Sequence, residues 1–303
     1  MIIINTLIPI FCLIALGYFF KHIKFPNEDF WKHLDAFNYY VLFPSLLIYK
    51  LATAQIDDIN GISFILTAVL SIATISIFLM IYNKFFAFEN SSFTSVYQGS
   101  IRFNTYVFLA LIDSLFGDKG LVLALFLITF VIPMINVFCI SIFSIYMPNA
   151  KITLISFIKS ILKNPLILSC IFGGMLNYLG VELPLVIQNT LKIISSAALP
   201  LGLLSVGVGL HLSSILYTKS ALLLSSCSKL ILLPLIMFTI AHMLNLSKDE
   251  ISILVLFASI PTASSGYILA RQLGGDLKLI SSIVSVQTII SIFTISILFQ
   301  FIK

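Results

Sequence analysis

Two short stretches concentrate polar residues inside otherwise apolar sequence. One reads Gln98-Gly-Ser-Ile-Arg102-Phe-Asn104-Thr105-Tyr106, the other Ala258-Ser-Ile-Pro261-Thr262-Ala-Ser264-Ser265-Gly266-Tyr267. Amides and hydroxyls of this kind hold a ligand by directional hydrogen bonds. Pro261 removes an amide donor and clashes with the preceding turn, and Gly266 beside a serine pair weakens a helix further. A helix broken in this way exposes half-helix N-termini whose partial positive charge attracts an anion. Asn104, Thr105, Thr262, Ser264 and Ser265 are therefore candidate anion-binding groups at a break marked by Pro261. For each hydroxyl the competing role is a bond to its own backbone or a neighbouring helix.

Two cations accompany them. Arg102 lies within a turn of Asn104. Lys229 lies half-way along an apolar segment, in Ser225-Ser-Cys-Ser-Lys229-Leu-Ile-Leu-Leu-Pro234. Both read as counter-charges for an anionic substrate. Lys229 has the alternatives of bonding carbonyls freed by Pro234 or of snorkelling.

What positions these residues follows from composition. Apolar residues make up 59% of the chain and charged residues 10%, with a mean hydropathy of +1.11. Soluble domains carry about 25% charge, so the chain reads as an all-α polytopic membrane protein. The net charge of +5 comes without a basic cluster flanked by stacking aromatics, so no nucleic-acid partner is expected. A hydrocarbon core about 30 Å thick needs roughly 20 apolar residues per helix. Segments of that kind fall near 3–20, 36–52, 61–82, 94–115, 120–146, 161–179, 185–209, 217–243, 249–271 and 277–301. Ten transmembrane helices are expected, with the two polar stretches in spans 4 and 9.

The chain is also doubled. Pro9, Pro26 and Pro44 recur as Pro165, Pro184 and Pro200, and Gly17 as Gly173. Leu115, Gly117 and Asp118 recur as Leu273, Gly275 and Asp276. The expected organisation is a first five-helix repeat over 1–148, a linker over 149–163 and a second repeat over 164–303. Five is odd, so the repeats are expected to be inverted, a layout of many secondary transporters. Asn104 and Thr262 then fall at equivalent depth. Pro44 and Pro200, in equivalent spans 2 and 7, are expected as kinks, with Gly266 a third.

Ten Lys and Arg fall in one set of loops and five in the other set and the C-terminus. By the positive-inside rule both termini lie on the non-cytoplasmic side of the inner membrane. The N-terminal segment lacks a basic leader and a small-residue cleavage site, so it is expected as a retained span. Four cysteines without metal spacing and four dispersed histidines imply no metal site, and no cofactor is expected. Apart from Asp249 and Glu250 at the very start of span 9, Asp113 is the only acidic residue within a span, near its outer end, so the acid–base equipment of an intramembrane enzyme is missing. An anion channel or a non-transporting sensor is the alternative class. A channel needs a polar stripe on several helices, whereas the polar residues here concentrate in two.

The stretches Leu16-Gly17-Tyr18, Phe43-Pro44-Ser45-Leu46-Leu47 and Gln98 to Thr105 together resemble the bacterial permeases of the auxin efflux carrier family. So do Lys163-Asn-Pro165-Leu-Ile-Leu, Leu199-Pro200-Leu-Gly-Leu-Leu, Val206-Gly-Val-Gly-Leu-His211 and Ser259-Ile-Pro261-Thr-Ala. The resemblance covers essentially the whole chain in order. It implies two inverted five-helix repeats, with helices 4 and 9 unwound and crossing at the substrate site, where Asn104 and Pro261 meet. It also implies small organic anions as substrates and a homodimer. The odd-span duplication and the paired polar breaks lead to the expectation of a secondary transporter for a small carboxylate, working by alternating access. The family pattern carries a Gly and then a Pro after the Asn. Here Leu109 and Leu111 replace them, so a less interrupted helix 4 is expected.

Overall fold

The computed structural model describes residues 2–54, 61–147, 163–211 and 219–302. Of the expected linker, only Lys163 lies within the described residues. Every regular element among the described residues is helical. The helices are α1 (Ile2–His22), α2 (Glu28–Phe37), α3 (Phe43–Ala52), α4 (Gly61–Phe86), α5 (Asn90–Ile101), α6 (Thr105–Tyr146) and α7 (Pro165–Tyr178). Then follow α8 (Leu185–Ser195), α9 (Ala198–Val208), α10 (Lys219–Cys227), α11 (Leu233–Met243), α12 (Lys248–Ser259), α13 (Ser265–Leu273) and α14 (Leu277–Ile302).

Among the described residues, five stretches are helical, long and apolar enough to cross a membrane: Gly61–Phe86, Asn90–Tyr146, Leu185–Val208, Ser220–Met243 and Leu277–Leu298. Shorter apolar helices run over Thr6–His22 and Pro165–Tyr178. The helical form follows from the solvent. In hydrocarbon each backbone N–H and C=O must be satisfied within the chain, and a helix does this locally. Hydroxyls are closed in the same way. Ser45, Thr67, Ser71, Ser76, Ser100, Thr129, Ser169 and Ser259 each donate to the carbonyl four residues earlier, at 2.6 to 2.8 Å.

The irregularities fall at prolines and glycines. A π-turn, Asn38–Leu42, joins α2 to α3 just ahead of Pro44, and another, Ser228–Leu232, joins α10 to α11 just ahead of Pro234. In both, the residue before the proline donates five residues back, Phe43 to Asn38 and Leu233 to Ser228. The wider register absorbs a proline that offers no N–H and crowds the preceding turn. Pro200 enters α9 three residues into the helix, after a turn at Ser196 and Ala197. The long α6 bends at Gly117, where φ is 59° and ψ is −152°.

Only glycine enters that region readily. A Cβ at Gly117 would meet nothing within 4 Å, so the cost of a side chain there is in the backbone alone. Gly117→Ala is expected to destabilise by about 1–3 kcal/mol, seen as a lower melting temperature of the detergent-purified protein. An unchanged melt would mean that the bend tolerates a Cβ.

The chain divides into two compact units. One comprises Met1–Ile59, Leu109–Thr129 and Leu154–Gly209. In it α1 packs along α9, and α3 packs against α7 and α8. Asn38 donates from Nδ2 to the Ala198 carbonyl at 3.2 Å, and Asn177 donates to the Ala54 carbonyl at 2.7 Å. Lys50 and Asp118 form an ion pair immediately after the Gly117 bend. The other unit comprises Asn60–Phe108, Phe130–Thr153 and Leu210–Lys303. In it α11 packs against α4 and α12, and α5 packs against α10 and α14. This second unit holds both polar stretches.

Candidate functional site

Both polar stretches interrupt their helices. The chain leaves α5 at Ile101, runs extended through Arg102 and Asn104, and re-enters helix at Thr105. Leu109 and Leu111 are fully buried in the helix that follows, and the interruption is present without the Gly and Pro. It is held from its own N-cap: Asn104 takes extended φ/ψ, and its Oδ1 accepts from the N–H groups of Tyr106 at 3.1 Å and Val107 at 3.3 Å. These are two of the four donors that every helix start leaves unpaired. The second break runs from Ile260 to Ser264, between α12 and α13.

The two breaks are joined backbone to backbone. The Asn104 N–H donates to the Pro261 carbonyl at 2.8 Å. Thr262 donates from Oγ1 to the Gly99 carbonyl at 2.5 Å and lies 3.4 Å from the Arg102 carbonyl. Carbonyls freed at the end of α5 thus find partners in the other broken segment. Thr262 is wholly buried, and its hydroxyl is committed to this joint.

Gln287 on α14 completes it. Its Oε1 accepts from the Thr262 N–H at 3.0 Å, and its Nε2 donates to the Gly99 carbonyl at 2.9 Å and to Ser225 Oγ at 3.4 Å. One amide stitches both breaks to a third helix. Sequence reading passed over Gln287, although an amide deep in an apolar segment needs partners and that was the signal available. Asn136 was missed likewise; its Oδ1 accepts from Arg102 Nη2 at 3.1 Å.

Beside the joint lies an open polar edge. Ser264 and Ser265 are exposed and Thr105 is half-buried. Arg102 Nη1 reaches Ser265 Oγ at 3.5 Å. The Ser264 side chain makes no capping bond at the start of α13, where the Gly266 N–H donates to the Ala263 carbonyl at 3.1 Å and the Tyr267 N–H to the Ser264 carbonyl at 2.9 Å. Asn104 is 3% exposed, and among the described residues its Nδ2 has no protein acceptor. Two helix N-termini, a guanidinium and an amide N–H therefore stand at one place, a set suited to an anion and not to a metal cation. Among the described residues no cluster of His, Cys, Asp and Glu could hold a metal ion. Gly266 is buried, and a Cβ there would meet Ile280 Cδ1 at 3.3 Å and Gln98 Oε1 at 3.5 Å.

Lys229 is placed differently from the other candidates. It is the second residue of the π-turn Ser228–Leu232, it is wholly buried, and its Nζ has no hydrogen-bond partner among the described residues. Its Nζ stands over the Phe257 ring, 5.5 Å from the centroid. Phe257 in turn packs edge-on against Phe103 at 4.6 Å and against Phe108 at 5.6 Å. Lys229 thus reaches the residue next to Asn104 through one aromatic ring. It makes no bond to the proline-freed carbonyls, and its side chain is enclosed by protein instead of reaching out along the surface.

Relatives of the chain match it end to end at low identity. An uncharacterized transporter of Methanocaldococcus jannaschii is 23% identical over 306 residues, covering 98% of this chain and 97% of the relative. A Rhizobium meliloti protein named "Putative malonate transporter" is 25% identical, covering 96% of this chain and 93% of that protein. An uncharacterized transporter of Escherichia coli K12 is 26% identical, covering 89% and 88%. The sequence profile described as membrane transport protein matches residues 2–299. The chain therefore belongs to the membrane transport protein family, that of the auxin efflux carrier permeases its motifs resemble.

Proposed function

We propose that this protein is a secondary transporter that moves a small organic anion, a carboxylate, across the membrane by alternating access. The observation that carries the reading is the joint itself: two interrupted helices bonded through Asn104 and Pro261, with Arg102, Thr105, Ser264 and Ser265 on its open edge. Helix starts and a guanidinium favour a carboxylate, and interrupted backbone at membrane depth belongs where it is packed in protein or lines a cavity. In this site Arg102 and the amide of Asn104 hold the carboxylate, the serines and Thr105 orient it, and Pro261 and Thr262 keep the break open. Lys229 adds positive charge from behind Phe257. The name of the Rhizobium meliloti relative favours a dicarboxylate such as malonate.

The wider architecture we propose is ten transmembrane helices in two inverted repeats, 1–148 and 164–303, with both termini outside. Corresponding features support it. Gly17 and Gly173 both sit at close helix contacts, against Leu204 and Ile48. The positive φ of Gly117 falls one residue ahead of Asp118, and that of Gly274 two residues ahead of Asp276, beside Gly275, the counterpart of Gly117. Both members of the equivalent pair of spans 2 and 7 are interrupted, by the π-turn at Asn38–Leu42 and the turn at Ser196 and Ala197. Spans 1, 2, 6 and 7, which fall within one compact unit, serve as the supporting bundle, and Pro44, Pro200 and Gly266 mark its and the site's flexible points.

Reconstituted protein is expected to take up radiolabelled malonate in proteoliposomes. Asn104→Ala is expected to lower uptake at least tenfold, the loss of about 1.4 kcal/mol or more of binding, with a normal size-exclusion profile. Undiminished uptake by that variant would remove Asn104 from the site. Conductance by the wild type far above carrier turnover would turn the reading to a channel.

A further inference from the structure

We propose that Lys229 is the proton-binding residue of the transport cycle, so that a proton on its amine and the anion at the joint are taken up together and released together. The inference rests on the anion-site reading above and names how that site is coupled.

Among the described residues eight buried side-chain atoms have no hydrogen-bond partner, and five of them belong to Gln98, Ser226, Ser228 and Lys229. Gln98 lies on α5, which packs against the π-turn that carries Lys229. Buried polar groups in a folded protein are nearly always paired, so such a concentration marks a place that water or a ligand completes. The Lys229 ammonium is the extreme case. In a low-dielectric interior an uncompensated cation is costly, and a negative charge arriving nearby relieves it.

The surrounding elements do not supply that charge. The π-turn packs against α5, α10, α11, α12 and α14. Their ionisable groups are Tyr97 on α5, with Arg102 at its C-cap; Lys219 and Cys227 on α10; and His242 at the end of α11. The others are Lys248, Asp249 and Glu250 in the first turn of α12, and Lys278 at the start of α14. The two carboxylates precede Phe257 by seven and eight residues, a distance of about 10–12 Å along a helix. Glu250 is already engaged by the N–H and hydroxyl of Ser247. The ion pairs among the described residues are Lys32–Asp29 and Lys50–Asp118. Lys229 therefore faces a ring, Phe257, whose far neighbours Phe103 and Phe108 flank Asn104.

A substrate carboxylate at the joint is then the missing counter-charge. By linkage, anion and proton each strengthen the binding of the other by the same factor. The balance is simple. The anion enters from one side, the amine accepts a proton from water on that side, and the pair crosses. When the anion leaves, the ammonium is again uncompensated and returns its proton to the second side. No covalent bond forms, and one proton moves per anion.

The test is a calorimetric titration of purified wild-type protein with malonate at pH 8, in phosphate and in Tris, whose different ionisation heats count the protons taken up. The expected result is close to one proton per malonate bound. Lys229→Gln and the permanently charged Lys229→Arg are expected to bind malonate with no proton uptake. In proteoliposomes an inward pH gradient is expected to accelerate wild-type uptake and neither variant. Malonate binding that is sensitive to Asn104→Ala but brings no proton overturns this inference alone. So does unchanged proton uptake in Lys229→Gln, which assigns the proton to the substrate's own carboxyl. Absence of wild-type binding to malonate and to a panel of other carboxylates overturns the site reading and this one with it. Where Lys229→Gln fails to fold, Lys229→Arg carries the assignment, and a wild type that binds malonate without proton uptake overturns the inference without either variant.

Discussion

Gly207→Ala is expected to cost about 3 kcal/mol or more of stability, at or beyond the upper end of ordinary overpacking, because the clash is with backbone. A Cβ at Gly207 would collide with the Ile14 carbonyl oxygen and lie 2.8 Å from both the Ile14 carbonyl carbon and the Tyr18 nitrogen. Side chains can turn away from an added methyl group, whereas two helix backbones can only separate. The contact is reciprocal: a Cβ at Gly17, on the partner helix α1, would collide with the Leu204 carbonyl on α9. Close approach through small residues is how helices associate in lipid, where apolar surface gains little by pairing. Separating α1 from α9 removes dispersion contacts along the whole interface. The measurement is thermal unfolding in detergent, with Gly174→Ala as control, since a Cβ there meets nothing within 4 Å. The double variant Gly17→Ala/Gly207→Ala is expected to cost less than the sum of the singles, because one separation accommodates both methyl groups. A melt for Gly207→Ala equal to that of Gly174→Ala would show that the helices slide apart freely.

Gln287→Ala is the second large effect, and it acts on stability and transport together. The change leaves the Thr262 N–H without its acceptor, removes one of two donors to the Gly99 carbonyl, and opens a cavity in a fully buried position. An unpaired buried donor costs about 1–3 kcal/mol, and the cavity left by a large-to-small change adds to that. The total expected is about 3–5 kcal/mol, with faster amide exchange at Thr262 as its local signature. Malonate uptake is expected to fall with it, although Gln287 bonds to Thr262, Gly99 and Ser225 and to none of the residues on the open polar edge. Gln287→Glu separates the two roles: it keeps an acceptor for Thr262 and loses the donor to Gly99. Uptake by Gln287→Glu between that of wild type and Gln287→Ala fits the positioning role. Wild-type melting and uptake in Gln287→Ala would mean that the breaks hold one another without the third helix.

Much of this site could be read along the chain because its features are local. Pro261 has no N–H wherever it is placed, Asn104 precedes a helix start that an asparagine caps well, and both lie in segments too polar for ordinary spans. Substitution of Leu109 and Leu111 for the family's Gly and Pro suggested a less interrupted helix 4. The interruption persists because Asn104 caps the new helix and Pro261 accepts its N–H, and neither bond needs a glycine or proline downstream. Hydroxyl roles were less legible. Thr262 and Ser265 look alike in sequence, yet one is sealed in the joint and the other exposed beside Arg102. Which way a residue points depends on the rotation of its segment, and an extended break has no helical period from which to compute it.

Composition and the length of the apolar runs pointed by themselves to a membrane protein of transmembrane helices, and the two clusters of polar residues marked the segments in which the helices break. These are consequences of solvent and of backbone chemistry, which act residue by residue. Only the tertiary structure decided that the Asn104 N–H bonds the Pro261 carbonyl, that Gln287 and Asn136 support the joint, and that a phenyl ring stands between Lys229 and the neighbourhood of Asn104. Those contacts join residues from 25 to 188 positions apart. Their existence depends on the depth and rotation of each helix against its neighbours, which packing sets and no local pattern records.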